Sequence, residues 1–541
     1  MARVGAERTD LRPPHGAAPR SIDHPSGRAA VRGAVHAGQW LVPSVGLVAF
    51  MARLWPVMVA GTLRGAQGYD DGVHLAVAQR LIAGVLPYRD EVFLHPPGIA
   101  VLLAPFAALA GPLGDSWSLV LARLLFMGLG AANAMLIARI LLPRGTLAAM
   151  IGGGAYALAD ITVTAEHTVF LETPISLGLL VALAVFARTG LRLPARSPAV
   201  ARALAVAGLA LGLAATFKIW VVLDVVLLGA LVLARWGLPA VGRWLGWCVA
   251  GAAPVLLPFL VASPGRMWFD VLSAQSGRPL QAKGLLERLG AVGLAGDLHV
   301  SSVILMAALI AVPLLACTIG PLLTVMWRRV GPALWPDPVW WGLLAGLQAA
   351  AIAVAPSFYS HYLAVVAPAL CLMLGAGAGR LATAVRRWGG QTARAGAGVI
   401  AAVAIAVGGM LVLVTPPLPT SGRVDNAALA EFAADHDCLW VRNPSYLQLA
   451  DAMARQIDRS CAATMDLVGA WLVFTAGGTV PGSQASSLDD LVLEQLAASD
   501  GALLAAGHPT QGIGPRSQSY LAAHFAPTGR TGQIEMWART S

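Results

Sequence analysis

Charge is scarce in this chain. Asp, Glu, Lys and Arg make up 12% of its 541 residues, about half of the ~25% carried by an ordinary soluble domain. Zinc-ligand spacing, a Walker loop and a dinucleotide-binding fingerprint are all missing, which argues against an ATP-driven machine within this chain. Residues 1–38 lack an apolar core, so they do not read as a cleaved signal peptide. Cysteine is sparse, with five in all. Cys248, Cys317 and Cys371 fall in apolar runs and read as packing residues. Cys438 and Cys461 are the only pair in the tail. An external compartment permits a disulfide between them, although spacing alone does not fix its geometry.

What the chain has instead is apolar length. Hydrophobic residues make up 57% of it, gathered in runs long enough to cross a bilayer. The formal net charge of +9 sits largely on Arg residues flanking these runs. It therefore reads as topology, with no nucleic-acid partner expected. The expected architecture is an all-α polytopic membrane protein of about eleven transmembrane helices, followed by a small extracytoplasmic α/β domain. Residues 1–38 are expected to be a disordered cytoplasmic tail and 39–415 the membrane domain. External loops are expected at 64–117, 164–172 and 263–300, with a linker at 416–423 and the soluble domain at 424–541. The spans fall at about 40–62, 118–141, 146–163, 173–188, 203–217, 219–234, 244–262, 301–327, 339–355, 363–379 and 397–415.

One apolar run is left out of that count. Residues 98–111 are too short to cross and are interrupted by Pro105, so they are expected to lie in the interface or re-enter. Arginine placement supports the choice. With 98–111 uncrossed, Arg139, Arg144, Arg188, Arg235, Arg328 and Arg387 all fall on the cytoplasmic side; with it crossed, all move outside. The 201–234 run would be about 51 Å long as one helix, against a core of about 30 Å. It is therefore expected to fold into a hairpin with Lys218 at its outer tip, even though ATFKIW contains no Gly or Pro.

The densest polar cluster follows the first span, in GYDDGVHLAVAQRL. On a helix, Asp70 and Asp71 lie four and three residues before His74, on one face. Adjacent carboxylates beside an imidazole suit a general base or a metal site, and equally an ordinary helix cap. His95 lies in HPPG at 95–98, a rigid turn. Glu166, His167 and Glu172 form a second polar group expected on the same side as Asp70. Tyr359, His361 and Tyr362 add hydrogen-bonding groups there, or belong to the aromatic belt. Lys218 and Arg278 are cations suited to an anionic headgroup, with simple snorkelling as the alternative for Lys218.

Taken together, GYDDG, HPPG, FLETP at 170–174 and TFK at 216–218 resemble the GT-C membrane glycosyltransferases. The nearest subgroup is that of the bacterial protein O-mannosyltransferase-like and aminoarabinose-transferase-like (family 39-type) enzymes. The resemblance covers the architecture of about residues 40–380. It implies a polyprenyl-phosphate-linked sugar donor, a glycan or protein acceptor, and transfer to a hydroxyl at the extracytoplasmic face of the cell membrane. It further implies that Asp70 activates the acceptor, and that Lys218 and Arg278 hold the lipid phosphate. The acidic group from Glu166 to Glu172 would match the family's second external cluster. This chain carries Asp-Asp where many relatives carry Asp-Glu. No cofactor is certain, and a divalent metal stays open. The competing class is a transporter or lipid-linked-sugar flippase. Against it, the ionisable residues gather at one face and not at the midplane, where transporter sites lie.

Overall fold

The computed structural model describes residues 25–189, 193–280, 325, 336–388 and 422–540. It divides into two units, Met1–Trp40 and Leu41–Ser541. The first helix, α1, runs Pro25–Ala60. Residues 25–38, expected to be disordered, are thus helical; Ala, the best helix former, is the commonest residue there.

Within the second unit the chain is a helical membrane fold with a small sheet-containing domain at its C-terminal end. Among the described residues seven helices are long and apolar enough to cross a bilayer, and up to eight if the bent pair Thr146–Leu158 and Asp160–Glu166 counts as one. Their positions correspond to the expected spans. Apart from Val325, the expected spans 301–327 and 397–415 lie outside the described residues. Residues 98–111 contain a ten-residue helix, α2, Gly98–Ala107. At about 15 Å it reaches half the hydrocarbon thickness.

The expected hairpin in 201–234 is present as α3 (Pro198–Ala215) and α4 (Val221–Trp236), separated by Thr216–Trp220. The break needs no Gly or Pro because its polar groups bond elsewhere. The Thr216 carbonyl accepts from the Gly98 amide at 2.8 Å. The Thr216 hydroxyl donates back to Leu213 O at 2.7 Å. Gly98 is required at this crossing, since a Cβ there would run into the Thr216 carbonyl and hydroxyl. HPPG and TFK, distant in sequence, are thereby one contact.

The C-terminal domain holds a four-stranded mixed sheet in the order β1-β2-β4-β3. Strand β1 (Leu439–Val441) pairs parallel to β2 (Gly501–Ala505), and β4 (Ile534–Arg539) pairs antiparallel to both β2 and β3 (Phe525–Thr531). The two runs read as strand-like, CLWVRN and QIEMWART, supply β1 and β4. Cys438 and Cys461 are bonded across 23 residues, with Cα atoms 5.6 Å apart.

This domain shares its core with the loops at 64–117 and 263–300. Val92, Leu94 and Ala274 belong to the same apolar cluster as Trp440, Leu472, Val473 and Leu504. Polar contacts add registry. Gln448 Nε2 donates to Gly72 O at 3.0 Å, Asn443 Nδ2 to Gly68 O at 2.9 Å, and the Ser116 amide to Asp451 Oδ1 at 2.8 Å. Gly72 allows the close approach, because a Cβ there would meet the backbone of Ser445.

Candidate active site

The helix Asp70–Ile82, which begins at the acidic pair, gives its two carboxylates different surroundings. Asp71 is buried and receives Arg123 Nη2 at 2.5 Å, Arg123 Nε at 3.1 Å and the Thr168 hydroxyl at 2.9 Å. Arg123 itself is fully buried and also donates to Leu63 O at 2.8 Å. This is a saturated ion pair that ties the loop to the helix Asp115–Leu141 and to the turn after Glu166. Asp70 is half-buried. Among the described residues no donor reaches its carboxylate. Burial pushes the Asp70 carboxyl up, Glu172 and Asp71 push the same way, and His361 and Lys218 oppose them. It is an accessible oxyanion with an uncommitted lone pair, which a general base requires.

The imidazoles nearby are held neutral. His74 is buried and its Nδ1–H donates to Val169 O at 2.9 Å, which leaves Nε2 bare. The rings of His74 and His95 meet edge-on, with centroids 5.8 Å apart. Burial lowers both, His95 well below its ordinary value.

Lys218 lies in the break between α3 and α4, as expected, but it is not a free tip residue. Its Nζ donates to Glu172 Oε1 at 2.6 Å and sits 4.1 Å from the Tyr362 ring centroid and 4.5 Å from that of Trp220. A cation at an apolar boundary gathers a carboxylate and two π faces to offset its lost hydration. Tyr359, His361 and Tyr362 are brought together here: Tyr359 and Phe170 stack on His361, Phe170 at 4.2 Å, and Tyr362 meets His361 edge-on. Arg278 donates to Ser357 Oγ at 2.8 Å. Its charge is felt by His95, Tyr359 and Asp466, which places it on the same rim.

Two expected members stand apart. Glu166 was grouped with Asp70, but it is buried among helices and spent. Arg53 Nε donates to it at 2.8 Å, Tyr156 OH at 2.7 Å and Asn133 Nδ2 at 3.0 Å. A buried carboxylate with that many donors holds helices together. His167 is buried, its Nδ1 bonded to Val163 O at 3.1 Å, and burial pushes it down to about 4. Among the described residues no group of three His, Cys, Asp or Glu side chains converges to hold a metal.

One residue of the site has no counterpart in the sequence reading. Asp466, from the C-terminal domain, accepts the Tyr69 hydroxyl at 3.1 Å and the Gly469 amide at 2.8 Å. Tyr69 immediately precedes Asp70. The only local signal in ATMDLVGAW is an Asp before an apolar helix, which reads as an N-cap. Asp466 does cap Leu467–Thr475.

No protein-family model matches the sequence, and no curated protein matches it. Solved structures do. ArnT from Cupriavidus metallidurans in its apo state aligns over 93% of this chain and 98% of that one, with 18% identity and a TM-score of 0.56. The same protein bound to undecaprenyl phosphate aligns over 92% and 97%, at 18% identity and 0.53. The Archaeoglobus fulgidus oligosaccharyltransferase tethered to an acceptor peptide aligns over 94% of this chain and 74% of that one, at 13% identity and 0.56.

The chain has the GT-C fold.

At these identities the likeness is one of architecture, running through both the membrane helices and the C-terminal domain. In this site, among the described residues, the Asp70 carboxylate receives no donor. The site also carries a cationic rim of Lys218 and Arg278, and a wall of neutral His and Tyr side chains between them.

Proposed function

We propose that this chain is a membrane glycosyltransferase that moves a sugar from a polyprenyl-phosphate donor to an acceptor hydroxyl on the extracytoplasmic face, in the assembly of a cell-envelope glycan or glycoprotein. The observation that carries the reading is the contrast between Asp70 and its neighbours. Asp71, Glu166 and Glu172 are each matched by a cation, whereas Asp70 is left open beside a cationic rim. In the reaction the acceptor oxygen attacks the anomeric carbon and its proton passes to Asp70. The bond from that carbon to the phosphate oxygen breaks, and the electron pair leaves with the lipid phosphate. Lys218 and Arg278 balance the charge that grows there through charge-assisted hydrogen bonds. The donor class follows the solved neighbours: ArnT binds undecaprenyl phosphate and the archaeal enzyme AglB binds dolichol phosphate.

The arginine distribution supports a cytoplasmic N-terminus and an external C-terminal domain. A reporter fused after residue 430 should then read external. The deciding experiment uses membranes with matched protein levels and radiolabelled polyprenyl-phosphate sugars. Transfer to envelope acceptors supports the enzyme. Movement of the donor across the bilayer with no bond made supports a flippase instead.

A further inference from the structure

The C-terminal domain does more than cover the membrane part. Its segment 466–469 reaches the residue beside the open carboxylate. Tyr69 OH donates to Asp466 Oδ1 at 3.1 Å and accepts the Val468 amide at 3.2 Å. Asp466 Oδ1 also takes the Gly469 amide at 2.8 Å. Gly469 leaves the room, since a Cβ there would run into the Asp466 carboxylate. One oxygen of Asp466 is thus anchored. Among the described residues no donor reaches the other, Oδ2, in a residue that is 7% exposed. The approach is rigid, because Gly72, Gly68 and Gln79 on the Asp70 side are bonded to Asn443 and Gln448 of the same domain.

We propose that Asp466 is a specificity-determining residue of the Asp70 site, where its Oδ2 accepts hydrogen bonds from a polyhydroxylated acceptor with no carboxylate or phosphate beside the reacting oxygen. This rests on the glycosyltransferase reading. An ionised carboxylate offers acceptors only, so it selects hydroxyl or ammonium groups and repels anions. The charges divide accordingly. Asp70 and Asp466 repel one another, and the charge of Arg278 offsets Asp466. Lys218 and Arg278 form the phosphate-binding rim. A donor phosphate on that rim would thereby sit beside an acceptor polyol held by Asp466 before the bond forms.

The test uses the full-length protein in membranes that lack the native copy, supplied with radiolabelled undecaprenyl-phosphate sugars, and reads two products. One is sugar joined to the endogenous acceptor and the other is sugar released to water. Asp466→Asn keeps the Oδ1 contacts through its amide oxygen but turns the second position into a donor. It should lower the transfer-to-hydrolysis ratio by about tenfold, the loss expected for one misplaced hydrogen bond of ~1.4 kcal/mol, with hydrolysis unchanged. Tyr69→Phe, which loosens Asp466 without removing it, should lower the ratio less. An unchanged ratio in Asp466→Asn overturns the assignment. So does an equal fall in both products, which would make Asp466 only a support for Asp70. So does an anionic group next to the new linkage in the isolated product. Wild-type membranes that neither transfer nor hydrolyse any donor overturn the enzyme reading itself.

Discussion

Asp70 and Asp71 are adjacent, identical in chemistry and opposite in expected effect. Asp71→Asn preserves shape, and its amide oxygen still accepts from Thr168. What it removes is the negative charge facing Arg123, a guanidinium with no exposed side-chain surface. Leaving one partner of a fully buried pair uncompensated costs about 3–5 kcal/mol. That is a large part of the ~5–15 kcal/mol that holds a typical protein folded. Asp71→Asn should therefore fail first in yield and thermal stability, with lost activity following from lost protein. A second substitution, Arg123→Gln, should restore part of the stability by removing the stranded charge. Asp70→Asn has no partner to strand, so stability should stay within about 0.5 kcal/mol of the parent. Transfer should fall by about a hundredfold or more, equivalent to ~2.7 kcal/mol of transition-state stabilisation. The assay pairs fluorescence-detected thermal unfolding in detergent with sugar transfer per folded molecule. Near-normal transfer by Asp70→Asn would refute the base assignment. An Asp71→Asn protein as stable as the parent would refute the ion-pair argument.

Lys218→Ala should both weaken donor use and destabilise, because Glu172 loses its 2.6 Å partner. Lys218→Met with Glu172→Gln should recover the fold but not donor binding, and full donor affinity in that pair would remove Lys218 from the site. The pH profile of transfer should rise with pH through a midpoint above 3.8, because burial raises Asp70 and the base works only when ionised. A rate that stays flat down to pH 4 contradicts this. Reducing Cys438–Cys461 releases a loop closed across 23 residues. It should lower the stability of the C-terminal domain by about 3 kcal/mol on the chain-entropy argument, and free thiols in protein from intact membranes would show that the bond does not form.

The membrane architecture was legible because it depends on bulk quantities, namely apolar run length and arginine sidedness. The α3–α4 hairpin shows that this reasoning survives without a local turn signal. Length against bilayer thickness demanded a break, and the Gly98–Thr216 contact supplies it. Local pairing was harder to read. Glu166 and Glu172 look alike in TAEHTVFLET, yet Arg53 claims one and Lys218 the other. Arg53 and Arg123 lie inside spans, where the sequence marks them only as expensive residues that need partners. Choosing the partner requires knowing which helix faces which.

Asp466 was illegible for a related reason. A cap residue and a site residue have the same sequence signature, and this one is both. The side chain uses Oδ1 for the cap and for Tyr69, and among the described residues no donor reaches Oδ2. The same economy governs Gly72 and Gly98. Each lies in the first turn of a helix, and each is where a second segment arrives, Ser445 in one case and Thr216 in the other. Those two contacts lie close in sequence to Asp70 and His95. One joins the segment to the C-terminal domain and the other to the break that presents Lys218. The segment is therefore clamped to both the domain that carries Asp466 and the break that carries Lys218. A base and a cation on separate elements keep a fixed separation only if such a clamp holds. For this reason Gly72 or Gly98 enlarged to Val should uncouple donor hydrolysis from transfer before it unfolds the membrane helices.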